Sequence, residues 1–96
     1  MEYFEWEDDN GCLSLDAVDM VAVEQAESVY MNGVGYVNPL LLRCQYLALV
    51  HQAGELFVHG DHRTAELFDG LAGLLTRMLD NLHDAGHDLT LPKKSV

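Results

Sequence analysis

Apolar residues recur at helical spacing in two long stretches of this chain. The first begins at Asn38-Pro39, where a capping side chain precedes a proline at the first helical position, and it ends at Gly60. Its apolar side chains surround most of the helix circumference, which is typical of a helix that is buried on nearly all sides. We predict a helix over 38–59 whose apolar surface exceeds what a chain of 96 residues covers by itself.

The second stretch begins after the capping residue Asp61 and ends at Gly86. Gly70 and Gly73 lie inside it, and each costs roughly 1 kcal/mol relative to alanine in a helix. A packing role would explain this cost, because two glycines three residues apart let another helix approach closely. We predict a helix over 62–85, and the short connection predicts that the two long helices pack side by side as an antiparallel hairpin. An apolar seam with alternating steps of three and four runs along this helix: Phe68, Leu71, Leu75, Met78, Leu82 and Ala85.

The two ends of the chain carry weaker patterns. Residues 16–31 place apolar side chains on one helical face, which predicts a first helix. Residues 1–15 contain the turn signal Asp9-Asn10-Gly11 between two apolar runs, so they form either a short β-hairpin or an acidic arm. Residues 87–96 are expected to be a flexible tail. The expected fold class is mainly α, with three helices in a single domain over 1–96.

Carboxylates are concentrated at the front of the chain. The first 42 residues hold nine acidic residues and no Lys or Arg, and the formal net charge of the whole chain is −11. Because nucleic acids and anionic membranes attract positive charge, direct binding to either is not expected. No apolar stretch is free of polar residues over the ~20 positions of a membrane span, and the acidic start is unlike a signal peptide, so we expect a cytoplasmic protein.

Reactive side chains do not form a recognisable catalytic motif. Cys12 and Cys44 follow no metal-binding spacing and are either two reduced thiols or one disulfide that ties the arm to a helix. His83 and His87 are four residues apart, but Gly86 interrupts the helix between them, and no cysteine pair completes a zinc-type set. Neither a Gly-x-Ser-x-Gly sequence nor a phosphate-binding loop occurs. We therefore expect no catalytic residue, no metal, no cofactor and no enzyme activity.

One family resemblance lies in the hairpin. Leu49, Ala53, Leu56, Gly60-Asp61, Ala65 and Ala72 have spacings similar to those of one helix-turn-helix unit. On these residues, 46–79 resembles a single tetratricopeptide repeat. It departs from the repeat at Asp69, where a large residue is usual, and it lacks the terminal proline. The resemblance implies that the chain binds a protein. Proteins built from this repeat include the small helical chaperones of bacterial secretion systems.

An acidic front and surplus apolar helix surface together predict a small regulatory protein of bacterial type. We expect it to form a homodimer and to bind, and inhibit or sequester, a protein partner, such as a transcription factor for which it is an anti-activator. Each expected partner-binding side chain could equally belong to the core or the dimer seam. The alternatives are a secretion-system chaperone and an acidic DNA mimic that inhibits a nucleic-acid-binding protein. The expected partner-binding residues form two patches: Tyr36, Leu40, Leu41, Leu47 and Phe57 in the first, and Tyr3, Phe4 and Trp6 in the second.

Overall fold

A computed structural model describes residues 15–94 of the chain. These residues are mainly helical, as predicted, and they also contain a small antiparallel sheet. The alternatives of a hairpin or an acidic arm over 1–15 fall outside the described residues, except for Leu15. The elements, in chain order, are a 3₁₀ helix Leu15–Ala17, α1 Met20–Glu24, β1 Val29–Met31, β2 Gly35–Val37, α2 Pro39–Val58 and α3 His62–Asp84.

The two long helices begin at the capping residues that the sequence indicates. The side-chain oxygen of Asn38 accepts hydrogen bonds from the backbone N–H groups of Leu40 and Leu41, both at 3.1 Å. The Asp61 carboxylate accepts one from Thr64 at 3.2 Å. Each helix is followed within two residues by a glycine with a positive φ. This left-handed αL conformation is typical of the residue that ends a helix. Local capping chemistry therefore accounts for both ends of each helix.

α2 and α3 pack against each other as a helical hairpin. In the half near their connection, the buried residues are the alanines Ala53, Ala65 and Ala72, whose small side chains let the two helices lie close together. Gly70 and Gly73 are not the points of close approach, because no described atom lies within 4 Å of where a Cβ would stand on either. Neither glycine is therefore a contact point between α2 and α3, and close approach of another helix at these glycines stays a prediction.

Large apolar side chains are buried at the open end of the hairpin. There α1, the sheet and the C-terminal segment pack on α2 and α3. Burial of each leucine contributes about 1.5–3 kcal/mol relative to an exposed position. Two clusters result, one with Leu42, Leu79, Leu82 and Leu89 at its centre and the other with Val18, Val23, Cys44, Leu47 and Leu91.

The prediction of one helix over 16–31 is wrong. Asp19 caps α1 by accepting a hydrogen bond from the Ala22 N–H at 3.2 Å, but the helix ends at Glu24. Beyond it, Val29–Met31 pairs antiparallel with Gly35–Val37. Strand pairing is favoured because both segments are rich in Val and Tyr, which pack well across a pleated pair of strands.

The C-terminal segment is packed on the fold, at least as far as Lys94, which corrects the expectation of a flexible tail over 87–96. Leu89 and Leu91 are each 2% exposed. Backbone hydrogen bonds of 2.9 Å join this segment to residues 17–19. The buried guanidinium of Arg43 donates to the Leu89 carbonyl oxygen, so α2 holds the segment as well.

Candidate functional site

The predicted partner-binding residues that the structure describes lie at different places in the fold. Tyr36 in β2 is 78% exposed, and its ring makes an edge contact with the Tyr30 ring at 5.4 Å between centroids. Phe57, near the end of α2, is 44% exposed and contacts the His62 ring. α2 separates these two exposed aromatic groups by about 30 Å, at roughly 1.5 Å per residue. They cannot be part of one small patch.

Three other predicted residues contribute to the core. Leu47 is 3% exposed and belongs to the second cluster, and Leu40 and Leu41 are half-buried against that same cluster. Leu47 is therefore not accessible to a partner, whereas Leu40 and Leu41 keep part of their surface exposed, and their role in partner binding stays a prediction. The remaining three predicted residues lie outside the described part of the chain: Tyr3, Phe4 and Trp6.

An apolar groove lies between the two long helices. Ala48 and Leu49 of α2 and Phe68 and Leu75 of α3 line it, and its volume is about 520 Å³. Gln45 and Gln52 of α2 also line it. Since α2 turns its Cys44 and Leu47 toward the second cluster, helical periodicity places the groove on a different side of the hairpin.

Three leucines of α3 extend this apolar surface. Leu67, Leu71 and Leu74 are 67%, 50% and 58% exposed. Their spacings of four and three residues place them in one row along the helix, directly beside the groove-lining residues of α3. We call the combined surface the groove face: Ala48, Leu49, Leu67, Phe68, Leu71, Leu74 and Leu75.

The charge around the groove face differs from that of the chain as a whole. Among residues 15–94, no carboxylate lines the groove, although the chain contains 16 acidic residues. Arg63 lies one turn before Leu67, and Arg77 lies one turn after Leu74, so both border the leucine row. They are exposed, whereas Arg43, the third arginine of the chain, is buried. Carboxylates lie beside the two bordering arginines on the same helix, since Glu66 is three residues after Arg63 and Asp80 is three residues after Arg77. The groove face is therefore apolar, with an edge of mixed charge.

Reactive groups elsewhere in the described residues do not assemble into a site. No group of three or more His, Cys, Asp or Glu in this part of the chain is arranged to hold a metal ion. Cys44 is a buried free thiol, and its pKa is raised by burial, an effect that the neighbouring Arg43 partly offsets. The pKa of Asp88 is lowered by hydrogen bonds from Thr90, one of them from the backbone N–H at 2.9 Å.

Comparison with protein-family models, curated proteins and solved structures finds no significant match to this chain. Within residues 15–94, no helix has the length and apolar character needed to cross a bilayer. The groove face is consequently identified from geometry and charge alone.

None of the groove-face residues was among the predicted partner-binding residues. Phe68, Leu71 and Leu75 belong to the predicted seam of α3, but the seam alone does not distinguish residues that pack within the chain from residues that stay exposed. A more specific signal is that α3 carries two apolar rows. Ala65, Ala72 and Leu79 recur every seven residues and are buried, while the row that begins at Leu67 is exposed. Two apolar rows on different sides of one helix cannot both face the same neighbouring helix, so the second row stays exposed here.

Proposed function

We propose that this chain is a small acidic regulatory protein that binds a protein partner through the groove face. The observation that carries the proposal is the row of exposed leucines, Leu67, Leu71 and Leu74, beside an apolar groove with no carboxylate. An amphipathic helix binds such a groove with apolar side chains spaced three and four residues apart. Each leucine that becomes fully buried contributes about 1.5–3 kcal/mol to such contacts.

Charge supports a regulator rather than an inert binding module. The net charge of −11 attracts a basic partner over long range and raises the rate of encounter. DNA-binding proteins are commonly basic overall. An anti-activator that holds a transcription factor is therefore our preferred concrete version, and a secretion-system chaperone is the alternative.

Binding assays with matched variants test the use of the groove face. Tagged full-length protein is used to recover partners from its native lysate, in parallel with Leu71→Asp and the control Val34→Asp. Val34 is 55% exposed in the turn between the strands, away from the groove. We expect the wild-type protein and Val34→Asp to retain one stoichiometric partner and Leu71→Asp to lose it. Equal recovery by both variants would exclude the groove face as the binding surface.

The nature of the recovered partner separates the alternatives. A transcription regulator supports the anti-activator, whereas an exported subunit supports the chaperone. Affinity is then measured from low to physiological salt. Contact through the groove face predicts a shallow dependence, because apolar burial is little screened. A steep fall, together with loss of binding when Glu5, Glu7, Asp8 and Asp9 are changed to amides, would instead favour a DNA mimic.

We further propose that a second apolar patch, on the outer face of α2, forms the homodimer. Val50, Phe57 and Val58 are 40%, 44% and 84% exposed there. Gly54 lies midway between the two valines, and no described atom lies within 4 Å of where its Cβ would stand. If two copies of α2 cross antiparallel at Gly54, a twofold axis places Val50 of one protomer opposite Val58 of the other. The patch is thus complementary to itself.

Light scattering coupled to size exclusion tests this assignment at micromolar concentration. We expect a mass of twice 10.7 kDa for the wild-type protein and for Leu71→Asp, and a monomer for Val58→Asp. A wild-type monomer would refute the homodimer. A monomeric Leu71→Asp together with a dimeric Val58→Asp would place the dimer on the groove face instead.

A further inference from the structure

Two rows of side chains run side by side along the outer face of α2. The apolar row belongs to the patch of the proposed homodimer and has Gly54 at its centre. The other row consists of residue types that bind metal ions: His51, Glu55 and His59. Both rows line one cavity of about 530 Å³. Each ligand row member is four residues from the next, so neighbouring Cβ atoms lie about 5–6 Å apart and adjacent side chains can bind one ion together.

A carboxylate from another element lies beside one end of this ligand row. Asp16 of the 3₁₀ helix lines a second cavity, of about 280 Å³, together with His51 and Glu55. A histidine that binds a metal usually donates its other ring N–H to a carboxylate, which fixes the orientation of the ring. Asp16 lies on the side of α2 where it can do this for His51. The surroundings therefore favour the pair His51 and Glu55 over the pair Glu55 and His59.

One chain supplies only part of a metal site. No group of three or more His, Cys, Asp or Glu within residues 15–94 is arranged to hold an ion. Zinc usually has four ligands in tetrahedral geometry. The antiparallel crossing of two α2 helices at Gly54 brings a second His51 and Glu55 pair to the interface, so the inference rests on the proposed homodimer. Its twofold axis, perpendicular to both helices, keeps the two ligand rows on the same side of the interface.

Helix geometry places this pair next to the twofold axis. His51 lies ~60° around the helix from Gly54 and ~4.5 Å before it, and Glu55 lies ~100° around and ~1.5 Å after it. His59 lies ~140° around the helix and ~7.5 Å along it, so it points away from the partner helix. Glycine at the crossing lets the helix axes approach to about 8 Å. The two Glu55 carboxylates then repel each other beside a desolvated patch unless a cation lies between them.

We propose that one Zn²⁺, or a similar divalent transition-metal ion, binds on the twofold axis of the homodimer. Its four ligands are His51 and Glu55 of each protomer, and Asp16 orients the His51 ring. The ion offsets the repulsion between the two Glu55 carboxylates. Because a complete site exists only in the dimer, the metal stabilises the dimer. Free Zn²⁺ at a hundred times its dissociation constant tightens dimerisation about a hundredfold.

Sedimentation of the full-length protein, stripped of metal and then titrated with Zn²⁺, measures this linkage. We expect Zn²⁺ to tighten the dimer of the wild-type protein and of the control His59→Gln, whose histidine is exposed on the same helix face. His51→Gln and Glu55→Gln should not respond. Metal-free Glu55→Gln should dimerise more tightly than metal-free wild type, because it lacks the repelling charges. A Zn²⁺ response of His51→Gln equal to that of wild type would overturn the proposal.

Stoichiometry and spectra identify the ligands. Equilibrium dialysis should find one Zn²⁺ for every two chains. Co²⁺ in its place should show the strong visible absorption of a tetrahedral ion without a thiolate charge-transfer band. One ion per chain, or a thiolate band, would refute the site. Asp16→Asn should weaken Zn²⁺ binding about 10–100-fold, and an unchanged affinity would overturn its orienting role.

Failure of the zinc site and failure of the homodimer give different results. A wild-type dimer whose dissociation constant does not change with Zn²⁺ would refute the site and leave the homodimer standing. A wild-type protein that stays monomeric with and without Zn²⁺ would refute the homodimer, and the site with it.

Discussion

Replacing Leu91 by alanine tests whether the C-terminal segment is part of the core. Leu91 is 2% exposed and packs in the second cluster. The Arg43 guanidinium donates to the Leu89 carbonyl oxygen before it, and backbone hydrogen bonds of 2.9 Å hold Pro92 and Lys94 after it, so the surroundings cannot readily collapse into the space that the substitution leaves. Leucine-to-alanine changes in cores cost about 2–5 kcal/mol, and more where the cavity persists. We expect a loss of about 3–4 kcal/mol in the free energy of unfolding.

Urea unfolding followed by circular dichroism measures this loss. The control is Val21→Ala, because Val21 is 63% exposed on α1, and we expect it to change stability by less than about 0.5 kcal/mol. Since the free energy of unfolding of a domain is only about 5–15 kcal/mol, the Leu91 variant should lose a large part of its stability. A Leu91→Ala protein within about 0.5 kcal/mol of wild type would show that the segment is frayed and that the reasoning is wrong.

Three further substitutions or reactions test local features. Asn38→Ala should lower the free energy of unfolding by about 1–2 kcal/mol. This loss should exceed that of Asp61→Ala, because Asn38 also donates a 2.7 Å hydrogen bond to the Val23 carbonyl oxygen near the end of α1. A larger loss for Asp61→Ala in urea unfolding would contradict this. Burial raises the pKa of Cys44, so a disulfide reagent should react slowly with it in the folded protein and rapidly in denaturant, measured in a variant without the other cysteine. Hydrogen bonds from Thr90 lower the pKa of Asp88, so its contribution is present above the unfolded-state pKa and is lost as the pH falls through the folded-state pKa. The difference in melting temperature between wild type and Asp88→Asn should therefore shrink in acid, and a difference that grows would refute the assignment.

The two long helices could be predicted from the sequence because local chemistry determines them. Asn38 and Asp61 satisfy the free N–H groups at the helix starts with their own side chains. Glycines with positive φ follow both helix ends. These interactions involve neighbours in the chain, so they can be predicted without knowledge of the rest of the fold.

Residues 16–31 and 87–94 depended on tertiary structure instead. The apolar positions of 16–31 fit a helical face, yet Val29–Met31 is held by pairing with Gly35–Val37. Leu89 and Leu91 are buried because the open end of the hairpin offers a surface for them. The conformation of such segments depends on contacts with residues distant in sequence, and no local pattern identifies those residues.

The groove face shows the same division most clearly. The sequence determined that the hairpin carries more apolar surface than a small chain covers, and that Leu67, Leu71 and Leu74 share one side of α3. It did not determine whether that row or the row of Ala65, Ala72 and Leu79 faces α2. Helical periodicity assigns residues to a common face, but only the packing of one element on another decides which face is covered. The small alanines allow close contact between the helices, so they face α2, and the leucines stay exposed.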